Sequence, residues 1–304
     1  MATDLTVELA GLRLASPVLT ASGTFGSGRE YGAINQLKGI GAIVTKTITY
    51  GPKQGNPPPR IWETASGMLN SIGLQNDGVE AFINKDMPFL VECPVPIVVS
   101  IGGEDVDEYC RVAKRLSQVE GISALEVNIS CPNVKEGGLA FGMEATTAAA
   151  LVGKVRTSTH LPLIVKLTPN ISDIVPVAAA VERAGASAIS LINTILGMAI
   201  DIETRRPRLA TVVGGLSGPA IKPVALRMVW RVAQAVGVPV IGMGGISCAN
   251  DALEFLIAGA SAVGVGTAMF TNPMVAGDIT DGIAAYLEEK RVTRLSKIVG
   301  TLKV

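Results

Sequence analysis

The chain is short of the residues that bind metals. It has one histidine, His160, and four cysteines, at positions 93, 110, 131 and 248, in 304 residues. The cysteines are widely spaced with no C-x-x-C pair, so neither a zinc site nor an iron–sulfur cluster is encoded. Iron–sulfur chemistry, if any, must come from another chain. Net charge is missing too. Lys plus Arg and Asp plus Glu both total 26, which leaves no field favouring nucleic acid or an anionic membrane. A small-molecule substrate fits better. Long hydrophobic runs are also lacking: the apolar stretch FLIAGASAVGVGTAMF (255–270) falls short of a membrane span and is broken by glycines. The first 17 residues alternate like a short hairpin and lack the basic start and apolar core of a signal peptide, so a cytoplasmic protein is expected.

What is present is apolar residue in excess, 48% against 17% charged, which parallel strands buried on both faces explain. Eight short apolar runs occur, at 16–23, 42–47, 96–103, 124–130, 162–169, 188–194, 239–245 and 262–269, alternating from residue 96 onward with amphipathic segments. Eight is the number that closes a (β/α)8 barrel, and no linker or internal repeat divides the chain, so one barrel domain over 1–304 is expected. In 105–118, Cys110 shares an apolar helix face with Val106, Tyr109, Ala113 and Leu116 and reads as core packing. Cys93 reads as a loop residue without a role. In 225–237, Leu226, Val229, Trp230, Ala233 and Val236 form one stripe, which makes Trp230 core. Ser172 is the expected N-cap and Gly185 the expected stop of the helix between them. Three segments exceed a minimal barrel: 48–94, 131–143 and 195–217. All follow C-terminal ends of strands, the face where barrel active sites sit.

Chemistry-bearing residues collect at that face. Cys131 leaves strand four in EVNISCPN and precedes a loop with Gly137, Gly138 and Gly142. Its thiol suits a nucleophile or an acid/base group; a small buried apolar side chain is the plainer alternative. Lys46 and Lys166 stand near strand ends, and Lys166 shares its inward side with Ile164 and Thr168. A buried ammonium needs an anion or a flavin beside it, unless the side chain reaches water instead. Asn70, Asn128, Asn133 and Asn193 also fall on strand ends or the loops beyond them. A carboxamide matches the amide or imide edge of a pyrimidine without adding charge, although any one of them could be a turn or cap. The glycines of GMGGIS (242–247) and GVGTAMF (264–270) admit a phosphate after strands seven and eight, with tight turns as the alternative; neither stretch is G-x-G-x-x-G.

The stretches SPVLTASGTFG, TKTIT, GNPPPRIWET, MLNSIGLQN, EVNISCPN, VKLTPN, INT, GGLSGPAIKP, GMGGI and GVGTA, in this order, resemble the class 1 dihydroorotate dehydrogenases, which are FMN enzymes on a TIM barrel. GNPPPRIWET and NSIGLQN are most similar to class 1B, the catalytic chain of the NAD-linked enzyme. The resemblance implies oxidation of dihydroorotate to orotate in pyrimidine (UMP) biosynthesis. It makes Cys131 the base at C5. It puts Lys46, Asn70, Ser71, Ile72, Gly73, Leu74, Asn128, Asn133, Asn193 and Thr194 around the substrate. For FMN it implies Ser22, Lys46, Thr47, Asn128, Lys166, Ile192, Gly218, Gly244, Gly245, Gly266 and Thr267. One position departs from the pattern: Ser100 stands where the family is expected to carry asparagine near the flavin. The class implies a partner subunit with FAD and [2Fe-2S] that passes electrons to NAD, and a homodimer core of a heterotetramer. A fumarate-using class 1A enzyme is the alternative. A flavin-dependent tRNA uridine reductase is disfavoured by the balanced charge.

Overall fold

The computed structural model describes residues 3–130 and 141–304. Among these, the eight apolar runs become parallel strands: β1 (Val18–Thr20), β2 (Ile43–Val44), β3 (Ile97–Ile101), β4 (Ala124–Asn128), β5 (Leu163–Lys166), β6 (Ala188–Leu191), β7 (Val240–Met243) and β8 (Ala262–Val265). They lie side by side as β1-β8-β7-β6-β5-β4-β3-β2, and a parallel bridge between Leu19 and Ala42 joins β1 to β2 and closes the ring.

A helical segment follows each strand. These are α1 (Arg29–Asn35), α2 (residues 79–90, with a π-helical middle), α3 (Val106–Leu116), α4 (Ala145–Ser158), α5 (Val175–Arg183), α6 (Lys222–Ala233), α7 (Ala249–Ile257) and α8 (Val275–Glu289). The expected (β/α)8 TIM barrel is therefore the observed fold. A two-stranded hairpin, Val7–Leu9 with Leu12–Leu14, precedes it, as the alternation at the N-terminus predicts.

Strand alternation sorts the side chains. Val99, Leu125, Val127, Val165 and Ile189 are fully buried and face the helices, while Val98, Ala124 and Ile164 point into the barrel and fill its lower interior. Toward the C-terminal ends the interior turns polar: Thr47, Ser100, Glu126, Asn128, Lys166 and Ser190 are all buried there. An interior of this kind positions a polar ligand at the mouth.

The helices are set by local signals. Asp105 caps α3, its Oδ1 accepting from Glu108 N at 2.7 Å, and the Glu108 carboxylate in turn accepts from Glu104 N and Tyr50 N. Gly185, at φ 106°, follows the end of α5 as expected. The start of α5 differs from expectation: Asp173, not Ser172, accepts from Val175 N at 3.1 Å, and Pro176 lies in the first turn. The stripe on α6 differs as well. Its buried side is Ala225, Met228, Val229 and Val232, which leaves Trp230 half-buried outside the core cluster. Arg231, next to it, is held outward by an ion pair to Asp173 at 3.1 Å. Cys110 and Cys93 are half-buried and pack against the core, and burial raises the Cys93 thiol above its ordinary pKa.

The segments after β2 and β6 meet. Strands Ile195–Met198, Val213–Ser217, Gly67–Asn70 and Ile61–Thr64 form, in that order, an antiparallel sheet. The segment after β4 lies outside the described residues up to 140; from there Phe141–Met143 makes a 3-10 turn into α4.

Candidate functional site

The end of β4 organises the site. Asn128 is 6% exposed, and its backbone carbonyl accepts from the buried Tyr109 hydroxyl of α3 at 2.7 Å. That bond fixes the strand end, so the side chain is aimed by the barrel rather than by a loop. The Asn128 Oδ1 accepts from Ser130 Oγ, and Ser130 Oγ accepts from Asn193 Nδ2, which makes a short chain of hydrogen bonds from β4 to the end of β6. Asn193 Oδ1 accepts from Thr194 N at 2.9 Å, and the Thr194 carbonyl accepts from Asn170 Nδ2 at 3.0 Å. Sequence reasoning singled out Asn128, Asn193 and Thr194. It missed Ser130 and Asn170, whose strand-end positions in VNIS and LTPN were the available signal.

The two lysines enter the same mouth. Lys166 is 5% exposed, and its Nζ donates to Ser22 Oγ at 3.3 Å, so the side chain crosses the barrel from β5 to the segment after β1. Lys46, just past β2, is held below the ordinary lysine pKa by burial, and further by the repulsion of Lys166 and Arg60. Three cations brought near one another at the mouth make a place for an anion. Arg60, in the PPPRIW stretch, is a third residue that sequence reasoning did not single out. Its guanidinium donates to the Asn56 carbonyl and to Gln75 Oε1.

Thr47 and Ser100 are joined through their hydroxyls at 2.9 Å, and Asn128 Nδ2 lies 3.5 Å from Thr47 Oγ1. The serine that replaces the expected asparagine at position 100 thus braces Thr47 beneath the mouth.

The sheet built from the two insertions supplies the next wall. Asn70 Nδ2 lies 3.4 Å from the Gly215 carbonyl, and Ser71 N donates to the Arg60 carbonyl at 2.8 Å. Ser71 Oγ is buried without a hydrogen-bond partner. A Cβ on Gly215 would lie 2.0 Å from Thr194 Oγ1, so only glycine lets the sheet close down on the end of β6. Ile72, Gly73 and Leu74 continue this segment, with the Ile72 carbonyl accepting from Asn56 N at 3.0 Å.

A third cluster forms after β6, β7 and β8. Thr267 Oγ1 donates to Ser217 Oγ at 2.8 Å, and Ile192, 3% exposed, donates its N–H to the Met243 carbonyl at 3.0 Å. Gly245 sits at φ 77°, where a Cβ would lie 2.8 Å from Lys222 N and 2.9 Å from the Gly218 carbonyl. Gly218, Gly244, Gly245, Gly266 and Thr267 are therefore brought together as backbone-lined turns, the geometry a phosphate requires. Asp251 on α7 ties this cluster: it accepts from Ser247 N and Oγ and from Lys222 Nζ at 2.7 to 2.9 Å. Partial burial pushes its carboxyl up, but the Lys222 ammonium and the Ser247 donors outweigh it and bring the pKa down to about 2.

Cys131 and Asn133 lie outside the described residues. The other residues named for substrate and flavin all fall on this one face.

A family model described as dihydroorotate dehydrogenase matches residues 4–287. The chain is 54% identical over 301 residues to the dihydroorotate dehydrogenase B (NAD(+)) catalytic subunit of Geotalea daltonii, covering 99% of each chain. It is 55% identical over 300 residues to the subunit of that name from Desulforudis audaxviator, covering 99% of this chain and 98% of that one. Among solved structures, the DHODH of Eimeria tenella in complex with ferulenol superposes with a TM-score of 0.81 at 23% identity. It covers 98% of this chain and 88% of that one, a likeness of fold.

Proposed function

The chain belongs to the dihydroorotate dehydrogenase family, and on that footing we propose that it is the class 1B catalytic subunit. It oxidises dihydroorotate to orotate with bound FMN in pyrimidine (UMP) biosynthesis. Electrons leave for NAD through a partner subunit carrying FAD and [2Fe-2S]. The observation that carries this reading is the joining of Asn128, Ser130 and Asn193 at a barrel mouth that also holds the buried Lys166 and the half-buried Lys46.

The residues fit a flavin. Lys166, buried, and Lys46, half-buried, put positive charge at the mouth, and the turns at Gly218 and Gly245 lie too close to their neighbours for side chains. When bound, FMN supplies the acceptor for the hydride from C6. Ser22, Thr47, Asn128, Lys166 and Ile192 would hold its ring system, and Gly218, Gly244, Gly245, Gly266 and Thr267 its phosphate.

The chain's own residues do the rest. Asn70, Asn128, Asn133 and Asn193 present amide donors and acceptors to the pyrimidine edge, and Lys46 faces the substrate carboxylate. Ser71 to Leu74 and Thr194 close the sides. Cys131 takes the proton from C5; a thiol pKa near about 8.5 puts a useful fraction of thiolate within reach at neutral pH. The amide donors and the ammonium of Lys46 oppose the negative charge that builds on the ring as that proton leaves.

Exposed Leu196, Met198, Ile200, Ile202 and Val213 give the insertion sheet and its neighbouring hairpin an apolar surface. Such a surface suits assembly, in the proposed form of a homodimer inside a heterotetramer. No helix among the described residues is long and apolar enough to cross a membrane, in keeping with the proposed cytoplasmic location.

Acceptor assays test the class. Turnover of dihydroorotate with NAD only when the FAD and [2Fe-2S] subunit is added is the expected result. Robust turnover of the isolated chain with fumarate would assign it to class 1A instead.

A further inference from the structure

One buried acid inside the barrel has no part in the mechanism above. Glu126 lies on β4, two residues before Asn128 and on the same inward side, and is 2% exposed. Its Oε2 accepts from Ser190 Oγ at 3.3 Å, and its Oε1 is buried without any hydrogen-bond partner. Leaving a buried carboxylate half-satisfied is costly, and such a group asks for a reason.

The register supplies one. Glu126 is opposite Ile164 on β5, while Asn128 is opposite Lys166, and Lys166 is opposite Ser190 on β6. The hydrogen bond from Ser190 to Glu126 therefore crosses the inner face of β5 at the foot of the Lys166 side chain. The inward residues of the neighbouring strands near this level, Ser100 and Ser190, are neutral. The next inward residue beyond Ile164 on β5 is the buried Lys166, whose ammonium in turn repels Lys46. The hydroxyl of Ser190 donates to the carboxylate from the other side of β5.

We propose that Glu126 is the internal counter-charge of the flavin floor. Its carboxylate is the acid set against Lys166 while the bound flavin is oxidised, and it opposes the negative charge the flavin gains on reduction. It acts through Lys166 and the field at the mouth without touching substrate, so it is a positioning residue. Its effect is to keep the flavin's potential low enough for onward delivery to a NAD-linked acceptor. The inference rests on the flavin reading above.

The test is the midpoint potential of bound FMN at pH 7 in the full-length holoprotein and in Glu126→Gln, with FMN dissociation constants measured alongside. The neutral isostere is expected to raise the potential, so that reduced flavin is favoured over oxidised by about tenfold or more relative to wild type. Binding of oxidised FMN should stay within about threefold, because the phosphate cluster is untouched. Ser190→Ala, which keeps the acid but removes its donor, should move the potential in the same direction by less; it decides the matter if Glu126→Gln does not fold. An unmoved or lowered potential with FMN still bound overturns the inference alone. A wild-type chain that takes up no FMN overturns the flavin reading, and the inference with it.

Discussion

Lys46 shows what this site costs as a folded object. Its pKa is lowered by burial and by its cationic neighbours, so below that value the folded chain carries a charge it would hold more easily unfolded. The sign follows: as pH rises from the folded pKa toward the ordinary 10.5, the folded state releases its proton first and stability increases. At neutral pH the full penalty is present. Lys46→Met is therefore expected to raise the melting temperature of the flavin-free protein, by about 2–4 °C for each kcal/mol relieved. Oxidation of dihydroorotate should fall by about a hundredfold or more. A thermal melt and a rate assay read the two effects, and a stabilised variant of undiminished activity would remove Lys46 from the site. Cys131→Ala should abolish substrate oxidation by a similar or larger factor and leave FMN bound, as absorbance after gel filtration would show. Activity retained in that variant would contradict the assignment of the base. The strand-end positions of Asn128, Asn193, Lys46 and Lys166 were legible in the sequence because polar groups there stand out against apolar runs. Ser130, Asn170 and Arg60 were not, because serine, asparagine and arginine near turns usually cap or solvate. Only the fold shows that Ser130 bridges Asn128 to Asn193.

At the level of elements, the barrel strands were legible and the facing of the helices less so. A strand buried on both faces leaves an apolar run of fixed length that no other feature of this chain mimics. A helix such as α6 has apolar residues around more than half its circumference, and period alone does not choose between the stripe of Trp230 and that of Met228. Packing against β7 makes the choice, and it leaves Trp230 half-buried. The start of α5 was misplaced for a similar reason: Ser172 and Asp173 both suit a cap, yet the helix starts after Ile174, which makes no side-chain cap, and Asp173 only accepts from Val175 N. The antiparallel sheet was not legible as one unit, since its two local pairings are joined by Gly67–Asn70 with Val213–Ser217, strands more than a hundred residues apart. The turn after β7 is held by Asp251, and this gives a prediction in acid. Its carboxyl titrates at about 2 when folded against 3.8 unfolded, so the stabilisation is complete above 3.8 and is lost as pH falls toward 2. Asp251→Asn should cost on the order of 1–2 kcal/mol at neutral pH, solvent screening included, with the difference from wild type closing near pH 2. Denaturant titrations across that range would show it, and an unchanged difference at pH 2 would contradict it.

The whole molecule divides its labour along the barrel axis. Apolar residues such as Val98, Ala124 and Ile164 fill the lower interior, and the polar mouth is built where strand ends, insertions and glycine turns meet. Stability therefore depends little on the residues that make the chemistry specific, which is why the fold can carry buried cations at its open end. The chain has no cysteine spacing for an iron–sulfur cluster and no nucleotide fingerprint. Its relatives are named as catalytic subunits of an NAD(+)-linked dihydroorotate dehydrogenase, a name that implies a partner subunit for them. We propose that this chain alone oxidises dihydroorotate, ahead of any transfer to a partner. The most direct measurement is the absorbance of its bound flavin as dihydroorotate is added under anaerobic conditions with no partner present. Bleaching of the flavin, with one orotate formed per flavin reduced, is the predicted result; a flavin that stays oxidised at saturating dihydroorotate would contradict the account.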